Sequence, residues 1–210
     1  VDFDGTTHIS ATAFLTMLDT LHPRDHIPPW NTLDTEPRVH AALFVHRVTG
    51  LEPGLYLLLR KGSALAELQA AMRSEWLWRR VGPDYLDLFL LLPYDLRDVA
   101  KTICCHQDIA ADGCFAMAML APMHAADAEP WRYRYLFWEC GMLGHVLYLE
   151  AEMAGVRSTG IGCYFDDELH DLLGLPDNQR WQSLYHFSMG GPVDDPRLST
   201  LPPYPGRRHM

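Results

Sequence analysis

At 210 residues, 48% of them hydrophobic and 11% aromatic, the chain can fill one sizeable core or a core with an excursion. Its formal charge of −10 argues against non-specific binding to nucleic acid or to an anionic membrane, since both need a basic surface. Five cysteines (Cys104, Cys105, Cys114, Cys140 and Cys163), odd in number, two adjacent and without framework spacing, read as a reducing compartment. With no signal-peptide pattern and no uncharged apolar run long enough to span a bilayer, the expectation is a soluble, cytoplasmic protein.

The opening "VDFDGTTHIS" lacks an initiating Met and reads as strand and turn in mid-domain, so the chain is expected to be a piece of a longer protein. Residues 10–21 predict a helix, with Ser10 as N-cap and an apolar face of Phe14, Leu15, Leu18 and Leu21. "HPRDHIPPWNTLDTEP" carries four prolines in 16 residues and predicts a loop. "VHAALFVHRV" and "GLEPGLYLLL" predict two strands of a hairpin, and "SALAELQAAM" a helix. "YLDLFLLLPY" predicts a strand, "DLRDVAKTICCHQDIAADG" a helix ended by Gly113, and "CFAMAMLAPM" a central strand. The longest element runs from about Trp131 to Ala154, where Leu136, Cys140, Leu143, Leu147, Ala151 and Ala154 form one apolar stripe closed by Gly155. A strand "STGIGCYF", a helix "DDELHDLLG", a strand "YHFSMG" and an extended, proline-rich tail follow. No internal repeat interrupts this mixture, which predicts an α+β or α/β fold.

Four groups of residues have chemistry to offer. Gly160 and Gly162 bracket Ile161 and can present bare backbone to a planar or anionic group, or can mark a bulge. In "ICCHQD", Cys104, Cys105 and His106 place thiol beside imidazole, as a nucleophile or part of a metal site would, although buried structural cysteines explain them too. Gly141 and Gly144, with His145 beside them, allow a helix or flat ligand to approach the long helix closely, while His145 also suits a core or interface position. Arg197, Arg207 and Arg208 in the tail are phosphate-binding candidates or solvated charges. No P-loop, G-x-S-x-G or H-E-x-x-H motif is present.

The stretch "YRYLFWECGMLGHVLYLEAEMAGVRSTGIGCYFDDELHDLLGL", followed by "LYHFSMGGPVDDPRLSTLPPY", resembles the C-terminal half of the nitroreductase-like FMN flavoproteins. Within that family, "VTGLEPGLYLL" and "CHQDIA" before "CFAMAML" bring it nearest the SagB-type dehydrogenases, relatives of the thiazole- and oxazole-forming oxidases. The resemblance covers nearly the whole chain. It implies a single α+β domain over residues 1–210 with a mostly antiparallel sheet, a long interface-forming helix, and FMN bound in the groove between two such domains. The partner is either an identical chain or a tandem domain, this one being the second of two. The implied activity is electron transfer between NAD(P)H or an organic substrate and an acceptor. Gly160, Ile161 and Gly162 match the segment that meets the flavin ring; His145 lies on the interface helix, and Arg197 is the remaining phosphate candidate. The family's arginine-rich opening segment would precede Val1, and its Ser/Asn-rich flavin loop is replaced by "HPRDHIPPWN". Two further readings stay open: a degenerate domain that serves as dimerisation partner or scaffold, and a cysteine- or zinc-based enzyme on Cys104, Cys105 and His106.

Overall fold

In chain order the elements are β1 (Ile9–Ser10), α1 (Ala11–Thr20), β2 (His40–Val45), β3 (Val48–Thr49), β4 (Gly54–Leu59), α2 (Leu65–Ala71), β5 (Arg79–Arg80), β6 (Asp87–Leu92), α3 (Arg97–Ile103), α4 (Ile109–Asp112), β7 (Phe115–Pro122), α5 (Arg132–Met153), β8 (Arg157–Ile161), α6 (Asp166–Leu173) and β9 (Trp181–Gly190). They come from a computed structural model that describes residues 2–32, 36–123, 129–175, 180–199, 201 and 204. Seven strands form one sheet in the order β5-β6-β4-β2-β7-β9-β8, every neighbouring pair antiparallel. β1 and β3 make a separate two-stranded parallel ladder. The fold is α+β, with the antiparallel sheet and long helix that the resemblance implies.

The central strands β2, β4 and β7 are buried along their whole length, which is why they read as unbroken apolar runs. Their alternate side chains feed two cores. Ala41, Leu43, Tyr56, Leu58, Met117 and Met119 face α1 and α5. Phe44, Leu55, Leu57, Ala116 and Ala118 face Leu68 of α2, Ile103 of α3 and Leu169 of α6. The apolar stripe of α5 lies against the first core through Leu136, Cys140, Leu143, Leu147 and Ala151, and Gly155 takes the left-handed conformation (φ 72°) that ends the helix. Ser10 caps α1 by accepting from the Ala13 N–H at 3.1 Å.

The structure corrects two elements. The helix expected over "DLRDVAKTICCHQDIAADG" is broken in two, because Cys105 and His106 adopt φ of 54° and 59° and reverse the chain between α3 and α4. The Gln107 backbone and side-chain N–H groups both donate to the Cys104 carbonyl there, which satisfies the end of α3 without helix continuation. β9 is longer than "YHFSMG" and starts at Trp181. A bulge opposite Met119 and Leu120 shifts its pairing, so its alternation of buried and exposed side chains breaks within the strand. At the other end, Phe3 bridges Pro192, Asp4 N–H donates to Gly191 and Val193 N–H to Asp2, so the start of the tail is tied to the start of the chain.

Candidate functional site

β8 is an edge strand, so alternate N–H groups along it point away from the sheet. The Gly160 N–H is one of these, and it donates to the Tyr148 hydroxyl of α5 at 3.0 Å. A Cβ on Gly160 would overlap the Tyr185 hydroxyl and stand 2.6 Å from its Cζ; the residue is glycine because a tyrosine of its own sheet lies across it. Ile161 turns to the opposite face and is buried against α6. Gly162 is exposed, and a Cβ there would meet nothing within 4 Å. The two glycines thus have different causes: packing inside this chain accounts for Gly160 and leaves Gly162 unexplained.

Tyr148 and Tyr185 also line an open groove of about 350 Å³ on α5, with Phe137, Gly141, Gly144 and His145. A Cβ on Gly144 would rest at ordinary contact distance, 3.4 Å, from Tyr185 and Phe187, whereas Gly141 faces open space. Burial raises the Tyr185 phenol pKa, which keeps it a neutral hydroxyl. The groove therefore joins two separately read features: the α5 glycines with His145, and the Gly160 segment. Sequence reading missed the two tyrosines that connect them. Tyr148 stands four residues after Gly144, on the same helix face, and that spacing was the available signal.

Arg197 does not line this groove. Its guanidinium makes a two-pronged pair with Asp195, at 2.9 Å from Nε to Oδ1 and 2.7 Å from Nη2 to Oδ2, and it holds the Asp195 carboxyl below its usual range. Arg207 and Arg208 lie outside the described residues.

The cysteine cluster resolves differently from its sequence order. Cys104 finds its imidazole in His186 (Sγ to Nδ1 3.6 Å), whose Nε2 lies 2.8 Å from the Ser183 hydroxyl and whose ring stacks on Tyr164 at 4.0 Å. His106, beside the cysteines in sequence, packs edge-on to Phe165 instead. Burial lowers the His186 pKa to about 3 and pushes the Cys104 thiol up to about 12, so both are neutral and the pair has no thiolate to attack with. Among the described residues no group of His, Cys, Asp or Glu could hold a metal ion, and no helix is long and apolar enough to cross a membrane.

A model of the nitroreductase family matches residues 40–191, from the first residue of β2 to just beyond β9. The chain belongs to the nitroreductase family. No curated protein sequence matches it. A solved structure from Anabaena variabilis, assigned as a nitroreductase, is similar at TM-score 0.67 and 21% identity, over 91% of this chain and 36% of that one. The McbBCD microcin synthetase complex of E. coli, solved with a truncated precursor bound, is similar at TM-score 0.63 and 13% identity, over 92% and 68%. A further structure assigned as a nitroreductase, from Ralstonia eutropha, gives 0.58 and 14% over 92% and 78%. At these identities the likeness establishes the nitroreductase fold, and the chain spans about a third of the length of the Anabaena protein.

Proposed function

We propose that the chain is an FMN-dependent oxidoreductase domain of the SagB-type dehydrogenase branch, passing electrons between a reduced nicotinamide or an organic substrate and an acceptor. The observation that carries this reading is the aromatic-walled groove on α5, floored by Gly141 and Gly144 and reaching the Gly160 edge through Tyr148 and Tyr185. Its chemistry suits an isoalloxazine, which needs flat apolar walls and a few edge hydrogen bonds. When bound, FMN supplies the redox chemistry, and the protein contributes binding and orientation.

Gly162 is the residue assigned to meet the ring edge, because the Gly160 N–H is held by Tyr148 while Gly162 is open. Gly162 follows directly on the last residue of β8, so its backbone continues the edge on which the Gly160 N–H lies. His145 and Tyr148 border the ring, and Ile161 anchors the segment from behind. Arg197 is assigned to the phosphate, which would replace Asp195 as its partner. Trp131 at the start of α5 and Tyr133, Phe137, Trp138, Leu149 and Met153 along it are exposed, apolar surface of the kind that marks an interface. A second copy, or a tandem domain of a longer chain, would cover it and close the groove.

A second reading has its own observation. The groove's lining includes no Lys or Arg, and Tyr148 and Tyr185 already occupy the Gly160 edge, as in a domain that has given up flavin and kept the interface. One experiment separates the two: size-exclusion of the purified chain with added FMN, read by absorbance and by mass analysis of what heat releases. FMN co-eluting with a dimeric species, and reduced at least tenfold in Gly162→Val, is the expected result. A dimer that takes up no FMN would overturn the flavoenzyme reading in favour of a scaffold.

A further inference from the structure

Away from the α5 groove, and sharing no residue with it, an open cleft of about 480 Å³ is walled by α3, α4 and the segments that follow β2 and β6. Most of its charges are settled among themselves. Arg97 makes a two-pronged pair with Asp95, at 2.9 Å from Nε to Oδ1 and 2.6 Å from Nη2 to Oδ2, and Lys101 pairs with Asp108. Three groups are left over. Arg47 is only 8% exposed, and its Nη1 donates to the Ala111 and Gly113 carbonyls, both at 2.8 Å, which fastens the end of α4. That role uses one nitrogen: among the described residues Nε and Nη2 have no hydrogen-bond partner and no carboxylate pairs with the guanidinium. The Asp98 and Asp112 carboxylates also have no hydrogen bond or ion pair among the described residues, and they feel Arg97 and Lys101 only at longer range. Arg47 and Asp112 face one gap. The point where a Cβ on Gly5 would stand is 3.8 Å from Arg47 Nη2 and 3.2 Å from Asp112 Oδ1, and Gly5 (φ 66°) leaves it clear.

We propose that this cleft binds a free α-amino acid with a cationic side chain, its carboxylate on Arg47, its ammonium on Asp112 and its side-chain cation on Asp98. Nε and Nη2 form the guanidinium edge that takes a carboxylate in two prongs, as Arg97 and Arg197 take their aspartates. Because Arg47 is buried, its charge is poorly screened, and a carboxylate arriving there gains more than it would at a surface arginine. The remaining charges decide against other ligands. Three cations and four carboxylates leave the cleft a net charge of −1, which repels a dianion such as phosphate and complements a ligand of net charge +1. A peptide does not suit the gap between Arg47 and Asp112, because its terminal ammonium and carboxylate no longer share one carbon. The volume is that of a small-molecule site. Binding here involves no flavin and is independent of the flavoenzyme reading.

The test is calorimetric titration of the purified chain with L-lysine at low ionic strength, beside L-norleucine, L-lysine methyl ester and Nα-acetyl-L-lysine. Saturable binding of one L-lysine per chain is expected, weakened about tenfold or more when any one of the ligand's three charges is removed. Asp112→Asn should lose the preference for lysine over its Nα-acetyl form, and Asp98→Asn the preference for lysine over norleucine, each variant keeping the other preference. Arg47→Leu should abolish binding; if it unfolds the chain, the ester and the two aspartate variants still decide. Absence of L-lysine binding up to about 10 mM, a methyl ester bound as tightly as the free acid, or aspartate variants that bind all four compounds like the wild type would overturn the proposal.

Discussion

The two faces of the sheet bury similar apolar strands but treat their polar groups and outer layers differently. On the face under α3 and α6 a neutral set, Ser183, His186 and Cys104, hydrogen-bonds in a row beneath Tyr164, while at the end of α4 the buried Arg47 guanidinium donates to the Ala111 and Gly113 carbonyls without a carboxylate bonded to it. On the face under α1 and α5, the buried set is charged. Arg60 pairs with Glu139 of α5, and Glu139 also accepts from the Arg38 and Val39 N–H groups that lead into β2. The charged link fixes α5 against the sheet, while the outer side of α5 stays aromatic and exposed.

The largest effect should come from breaking the charged link. Glu139→Ala leaves Arg60 buried without its carboxylate and two backbone N–H groups without an acceptor, and should cost about 3–5 kcal/mol in denaturant-induced unfolding. A loss below 1 kcal/mol would mean that α5 is not held by this pair.

The next effect distinguishes the two glycines of β8. Gly160→Ala forces Tyr185 aside and should cost about 1–3 kcal/mol, with Tyr185→Ala in the same chain recovering much of it as a non-additive coupling. Gly162→Ala, which meets nothing, should change stability by less than about 0.5 kcal/mol. Equal costs at the two positions would show that Gly160 is not explained by Tyr185.

A pH-dependent effect tests the buried histidines, and the single-residue share of it is comparable with that of Gly160. Burial holds His186 at about 3, His40 at about 3 and His46 at about 4, below the ordinary value of 6.5. Each is neutral when folded and binds a proton when unfolded below pH 6.5. Stability is therefore complete above that pH and falls as pH drops toward 4, at about 1.4 kcal/mol per pH unit for each histidine. Unfolding midpoints taken between pH 7.5 and 5 should show this slope, and His186→Gln should flatten it by one histidine's share. An unchanged slope in that variant would mean His186 is protonated in the folded protein.

Much of the architecture was legible because it is local. The unbroken apolar runs of β2, β4 and β7 reflect strands covered on both faces, and the stripe from Leu136 to Ala151 follows the helical period. Ser10 announces the start of α1 through its own hydroxyl, and Gly155 announces the end of α5 through its left-handed backbone. The break at Cys105 was not legible, since Cys is not a usual left-handed residue and the turn depends on Gln107 reaching the carbonyl of Cys163, 56 residues away along the chain, as well as that of Cys104. The late start assigned to β9 came from a bulge, which erases the period-two signal on which strand reading relies.

The candidate site divides in the same way. Composition and motif order singled out Gly160, Gly162, Gly144 and His145, because glycine carries its meaning in the backbone and needs no partner to be noticed. That Gly160 answers to Tyr185 and its N–H to Tyr148, and that Cys104 pairs with His186 rather than His106, were decided only when distant segments packed together. Helix and strand periods are properties of neighbouring residues and survive in the sequence. Side-chain partnerships are set by the sheet order and by the placement of α5 and α6 over it, and they exist only in the folded chain.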